Sequence, residues 1–392
     1  MSAATLFPRP ADVEASTPPG RDRAIDVIRI TALLAVVIGH TVMATSIIRD
    51  DVFIWSNLLT GSPVFQALTW VFQIMPLFFF AGVAASVQSW APGSSWGNWL
   101  MRRCTRLYRP VFYYLAFWVA TLVVLKFLLP VHVYEPVAGI STQLLWFLGA
   151  YVLVLAAVPA LAGITTTGRF VAAAVTAYAV VAAVDAIRIN VDVWPLFGYL
   201  NLSMWLIPGM FGVAYRRRLL SARAALITGA AMFAVNAALV AFGPYELSLV
   251  GIETQHLKNM SPPSLLLAGH AIMMCALAIA AAPALTRWAR RPRVWWLTVI
   301  GNSGAMTLYL WHIPLLLGMH LVFDYLGYPR FPDAPHFVTL SVLQMAIMVL
   351  AVGAAFVVLR PLENDPLPFW DGGVVARPGL RSAAVGSLLC VA

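Results

Sequence analysis

Long apolar runs broken by short polar turns set the pattern of this chain. Ten runs, at about residues 25–48, 64–90, 111–130, 144–164, 170–189, 193–215, 222–243, 265–285, 295–325 and 336–359, each approach or exceed the length of a membrane-crossing helix. The longer ones have residues to spare for tilting, kinking or leaving the bilayer. The pattern predicts an all-α polytopic membrane protein, a bundle of about ten transmembrane helices. Residues 1–20, with Pro8, Pro10, Pro18 and Pro19, read as a disordered cytoplasmic lead, and residues 361–392 as a short cytoplasmic tail. A single membrane domain over 21–360 lies between them.

Composition agrees. Hydrophobic residues make up 61% of the chain and charged residues only 10%, at a mean hydropathy of +0.83. Soluble domains carry about 25% charged residues, so a soluble enzyme is excluded. Twenty of the 25 basic residues fall on one side if the N-terminus is cytoplasmic, leaving Arg49, Arg188, Lys258 and Arg330 opposite and Lys126 within a helix. The positive-inside rule then puts both termini in the cytoplasm and calls for an even number of helices. That asymmetry accounts for the net charge of +9 without a nucleic-acid partner. Cys104, Cys275 and Cys390 are scattered over a loop, a helix and the tail and imply no disulfide framework. A cleaved signal peptide over 21–46 is disfavoured, because Arg29 and His40 interrupt its apolar region.

The informative positions are the polar ones inside the runs, since ionisable side chains are costly in hydrocarbon. Arg29 and His40 are eleven residues apart in the first run, about three helical turns, and share one face. Asp26 precedes Arg29 by three residues, within reach of an ion pair. Arg102, Arg103, Arg106 and Arg109 follow the second run. They hold a loop in the cytoplasm or clamp phosphate, and charge alone does not separate the two. The ninth run carries Asn302, Ser303, Thr307, Tyr309, His312 and Pro314, enough polarity to suggest a cavity. Trp146 opens the fourth run. Lys126, Asp185 and His270 are expected to reach the interface, and His320-x-x-x-Asp324 is read as coincidental. No nucleotide-binding glycine loop and no zinc-ligand spacing is present.

Asp26-x-x-Arg29, Arg29-x10-His40, Phe78-Phe79-Phe80-Ala81-Gly82, Arg103-x-x-Arg106, Trp146-Phe147-Leu148 and Tyr309-Leu-x-His312-x-Pro314 occur in this order. Together they resemble the acyltransferase-3 family of integral membrane acyltransferases over about residues 21–360, in a stand-alone form without a C-terminal esterase-like domain. The family usually has serine where Ala81 stands, so no hydroxyl role is expected there. The resemblance implies a bundle of ten or eleven helices that moves an acyl group, most simply acetyl, from acyl-CoA to a hydroxyl, often on a carbohydrate. Acyl-CoA would be a co-substrate, with no tightly bound cofactor and no metal.

It further implies required roles for Arg29 and His40. Histidine is suited to take the acceptor hydroxyl proton near neutral pH. Asp26 and Arg29, about 16 to 21 Å along the helix from His40, are assigned to the cytoplasmic mouth. The family's Arg-x-x-Arg pair maps onto Arg103 and Arg106, candidates for the CoA phosphates, although Arg106 and Arg109 share the spacing. Tyr309, His312, Ser303 and Trp146 are candidates for the substrate cavity. The competing expectation is a transporter of a glycan or lipid, which would need the helices and cavity but no acyl-CoA. The preference for arginine, 23 against two lysines, suggests a bacterial plasma-membrane protein acting on envelope glycans or a glycosylated metabolite.

Overall fold

Asp22 opens the first span by accepting the amide of Ile25 at 3.3 Å, a side-chain cap on a helix whose apolar run would otherwise begin with unsatisfied donors. The computed structural model describes residues 7–91, 93–191, 194–252, 257–367, 370–371 and 379–391. Among them, ten helical segments are long and apolar enough to cross a bilayer. The elements in order are α1 (Pro10–Ser16), α2 (Arg23–Met43), β1 (Ala44–Arg49), β2 (Val52–Asn57), α3 (Pro63–Phe72), α4 (Met75–Ser86) and α5 (Trp96–Leu128). There follow α6 (Val131–Ser141), α7 (Leu145–Ala156), α8 (Val158–Leu161), α9 (Thr167–Asn190), a 3-10 stretch (Pro195–Trp205), α10 (Leu206–Arg216) and α11 (Ala222–Phe242). Last come α12 (Leu265–Trp288), α13 (Pro292–Asn302), α14 (Ala305–Tyr325), α15 (Phe337–Asn364) and α16 (Leu380–Val391). The all-α membrane bundle expected from the apolar runs is the one observed.

Helix α2 is central, packing against α4, α12, α13, α14 and α15. Several runs that read as single helices are broken in two. The second divides at Gln73–Ile74, where Pro76 can only enter the first turn of the next helix because it has no amide to donate. The ninth divides at Ser303–Gly304. There the Glu363 carboxylate accepts both the amide and the hydroxyl of Thr307, at 2.9 and 3.0 Å, and so caps α14.

The first run was expected to remain helical to about residue 48. Instead the chain leaves α2 at Met43 and forms a hairpin, β1 antiparallel to β2, with Ala44 opposite Asn57 and Arg49 opposite Val52. Its two-residue turn, Asp50 and Asp51, has positive φ at both positions, the twist that tight hairpins need.

Both chain ends depart from their expected form. The lead read as disordered carries α1, whose Val13 is buried with Val27, Ala289 and Trp295. The indoles of Trp295 and Trp296 donate to Thr17 Oγ1 and Pro8 O at 2.7 and 2.6 Å. These buried contacts compensate the ordering of an otherwise polar segment. The tail likewise is not a separate unit among its described residues. Helix α15 continues past 360, and α16 lies along α5, with Ser382 Oγ accepting Gly97 N at 2.7 Å and Leu389 O accepting Tyr108 Oη at 2.9 Å.

Helices α4 and α10 cross closely at Gly212, where a Cβ would stand 2.5 Å from Phe80 O. The Ala84 nitrogen would be 3.0 Å away, and both atoms are backbone, so a side chain must force the helices apart. Gly212→Val is expected to cost about 1–3 kcal/mol, read as a lower unfolding midpoint by tryptophan fluorescence in detergent; an unchanged midpoint would contradict this crossing.

Candidate active site

The polar stripe of α2 serves two cavities. His40 is exposed on the wall of the larger, about 460 Å³, which is also lined by Trp55 and Asn57 of the hairpin, by Gln73 at the break after α3, and by Gln143 and Trp146. Among the described residues, no Asp, Glu, Lys or Arg lines it. Arg29 lines the smaller cavity, about 100 Å³, together with Tyr151, Asn302 and Glu363. Phe78, Phe147 and Tyr309 line both and form the wall between them. Phe78 opens the Phe-Phe-Phe-Ala-Gly stretch. At the far end of that stretch, a Cβ on Gly82 would stand 2.5 Å from the Tyr151 hydroxyl oxygen, so this glycine makes room for a residue of the smaller cavity.

His40 Nδ1 is 2.9 Å from Nε2 of His312, and the two rings are within 7° of coplanar. His312 is fully buried, and its Nδ1 lies 3.1 Å from Leu308 O. Tyr309 Oη donates to Leu144 O at 2.7 Å, tying α14 to the start of α7 beside Trp146. Of the residues expected at the site, His40, Trp146 and Tyr309 thus meet at the larger cavity, with His312 behind His40, and Arg29 occupies the smaller one.

Others are placed differently. Asp26 does not pair with Arg29. The chain before α2 folds back, and Arg21 makes a bidentate pair with Asp26 at 2.5 and 2.8 Å. That carboxylate holds the Arg21 guanidinium protonated above its ordinary range. Arg29 is left without a hydrogen-bonding partner among the described residues, half-buried in its cavity. Ser303 lines neither cavity, because its hydroxyl donates to Ile300 O at 2.6 Å as the helix ends. Arg103 and Arg106 also line neither. Arg103 lies over the Trp99 ring at 4.8 Å and bonds Ser89 Oγ, while Arg106 is exposed. Arg109 is committed elsewhere, paired through two nitrogens with Asp371, whose carboxyl it holds below the usual carboxylate range. The alternative Arg106–Arg109 clamp is therefore disfavoured.

Of the three polar groups expected at the interface, Lys126 is exposed, whereas Asp185 and His270 are buried. Asp185 accepts from Asn201 Nδ2, Tyr245 Oη and the Leu265 amide, pinning α9 to the start of α12. His270 lies 2.8 Å from Gln73 O, satisfying a carbonyl freed at the break in the second run. His320 and Asp324 flank Ser46 of β1 at 2.7 and 2.6 Å and hold the hairpin to α14, which is a structural use of that pair. Arg330, 2% exposed and with its pKa lowered to about 10 by burial, donates to Val42 O and Ala44 O at the end of α2. Sequence reasoning missed Tyr151, Glu363, Trp55, Gln73 and Gln143. Glu363 had a usable signal, a carboxylate ending an apolar run; the others had none.

Residues 22–360 match the family model of an acyltransferase domain. The chain belongs to the acyltransferase-3 family. No curated protein and no solved structure matches it. The acyltransferase is thus a multi-pass membrane enzyme that joins an acyl donor to a hydroxyl acceptor.

In this acyltransferase, Arg330 closes the end of the helix that bears His40. Arg330→Met would leave the Val42 and Ala44 carbonyls unpaired, at about 1–3 kcal/mol each. The expected readouts are a lowered thermal midpoint and faster hydrogen exchange at residues 42–46; unaltered exchange there would remove Arg330 from this role.

Proposed function

We propose that this enzyme takes an acyl group, in the simplest case acetyl, from acyl-CoA and delivers it to a hydroxyl of a neutral, polyhydroxylated acceptor, a glycan or glycosylated metabolite, with His40 as general base. The observation that carries this reading is the division of α2 between two cavities. A guanidinium with no hydrogen-bonding partner among the described residues stands in one, beside the Glu363 carboxylate, and an exposed imidazole stands in a larger one in which no described residue is charged. An arginine whose N–H groups make no hydrogen bond among the described residues has donors left for a phosphorylated substrate. Amides, hydroxyls and the indoles of Trp55 and Trp146 suit a neutral sugar, whose rings stack on aromatic faces while its hydroxyls find hydrogen bonds.

The reaction balances without further reactants. His40 takes the acceptor hydroxyl proton, the oxygen attacks the thioester carbonyl, the carbon–sulfur bond breaks, and the proton passes to the CoA thiolate. Arg29 and His40 are about 16 Å apart along the helix, a span that an extended pantetheine arm covers. The arm would pass the wall of Phe78, Phe147 and Tyr309. The positive-inside rule makes the arginine-rich end cytoplasmic, so the donor enters from the cytoplasm of a bacterial cell and the larger cavity, next to the hairpin, takes the acceptor. Arg103 and Arg106, outside the small cavity, would meet the CoA phosphates beyond its mouth.

Membranes containing the enzyme should transfer radiolabel from acyl-labelled acetyl-CoA, or from a longer acyl-CoA, to an acceptor extract. His40→Ala at equal expression should reduce transfer by about 10²–10⁴-fold. The absence of His40-dependent transfer with every donor would overturn the reading in favour of transport. Arg29→Gln should raise the KM for acyl-CoA about tenfold or more, the loss of one charge-assisted contact, and leave kcat nearly unchanged. An unaltered donor KM would remove Arg29 from the donor site.

A further inference from the structure

Resting on His40 as base, we infer that His312 is a positioning residue that fixes which ring nitrogen of His40 carries the proton, leaving Nε2 as the bare, proton-accepting atom. Hydrogen-bond polarity is traceable inward from the cavity because the chain of contacts ends on a group with no ambiguity. Leu308 O can only accept, so His312 Nδ1, 3.1 Å away, is the nitrogen that bears hydrogen. A neutral imidazole has one N–H, so His312 Nε2 presents a lone pair. His40 Nδ1, 2.9 Å from that lone pair, must then donate. The single proton of neutral His40 is accounted for, and Nε2 has none.

The reverse polarity fails on cost. For His40 Nδ1 to accept, His312 would need hydrogens on both nitrogens, a fully buried imidazolium in an apolar bundle. Other partners do not compete. The Tyr309 hydroxyl spends its proton on Leu144 O, and among the described residues only His312 is hydrogen-bonded to the His40 side chain. Near coplanarity of the rings, within 7°, puts the Nδ1 hydrogen and the Nε2 lone pair in the plane where such a bond forms.

The arrangement follows the logic of a catalytic triad, in which a buried acceptor holds the histidine tautomer and then supports the imidazolium that forms. Here the acceptor is a second imidazole. A carboxylate in that position would place a permanent charge beside a cavity in which no described residue is charged; a neutral imidazole gives the same orientation without one. His40 Nδ1–H still donates to His312 once Nε2 has taken a proton, so the contact persists through the reaction.

Two measurements test this, and only one of them needs activity. Nitrogen-15 NMR of histidine-labelled enzyme in lipid, at mildly alkaline pH and assigned with His40→Ala, should show His40 protonated at Nδ1 and bare at Nε2. His312→Phe, which keeps an aromatic ring but removes the acceptor, should mix the two tautomers. It should also lower kcat by at least about 100-fold with both KM values unchanged. His312→Gln restores an acceptor oxygen near the position of Nε2 and should recover the wild-type tautomer and most of kcat. His40 protonated at Nε2 in the wild type would overturn the inference while leaving the acyltransferase reading intact, as would an unchanged tautomer and kcat in His312→Phe. Were no transfer found for the wild type with any donor, the proposed function would fail, and the spectra would still decide the relay.

Discussion

A histidine carried on a membrane-spanning helix must meet either water or another polar group, because hydrocarbon satisfies neither of its nitrogens. Helix α2 meets this constraint on both sides of one ring. Nδ1 of His40 reaches His312 on α14, and the rest of the ring faces a cavity. The placement of α14 is therefore as important to the site as α2 itself. Helix α14 is held at one end by the Glu363 carboxylate on Thr307, midway by Tyr309 on Leu144, and at the far end by His320 and Asp324 around Ser46. Each tie is polar and within the bundle, where alternative partners in lipid are scarce. The ties fix the His40–His312 contact from outside.

The cavities follow from interrupted helices. Straight apolar helices packed side by side leave little space, whereas the breaks at Gln73–Ile74 and Ser303–Gly304 release backbone groups and volume together. Gln73 at the first break lines the larger cavity, and Asn302 beside the second lines the smaller. The hairpin β1–β2 acts in the same way at the end of α2. It turns a helix that could have continued into a polar, tryptophan-bearing wall next to His40. Its register is secured by Ser46, and its junction with α2 by Arg330. Cavity-lining and structural polar groups thus lie along the same helices, and residue type alone does not distinguish them.

The arginines make that point clearly. Arg103, Arg106 and Arg109 are alike in sequence, yet one stacks on tryptophan, one is exposed, and one is buried in a pair with Asp371 more than 250 positions away. The same holds for acids. Asp26 looked like a partner for Arg29 from its helical spacing, but Arg21, before the helix begins, folds back onto it. Local periodicity describes neighbours on one helix and says nothing of a segment that turns back from outside it. That reassignment leaves Arg29 without a hydrogen bond among the described residues, facing Glu363 in the smaller cavity.

The amino-acid sequence by itself determined the class of molecule and the important helix. Ten apolar runs, their basic flanks and an arginine and histidine eleven residues apart are local properties, legible because hydrocarbon penalises every polar exception. The order of the short motifs was enough to point to the family. It also singled out Tyr309 and His312 by their unusual concentration of polarity. Only the tertiary structure decided that His312 bonds His40, that Phe78, Phe147 and Tyr309 divide two cavities, and that Tyr151, Glu363 and the hairpin tryptophan belong to them. These facts depend on contacts between residues as far apart as 40 and 312 or 29 and 363. Such contacts are set by how broken helices cross, and no periodicity along a single helix encodes that.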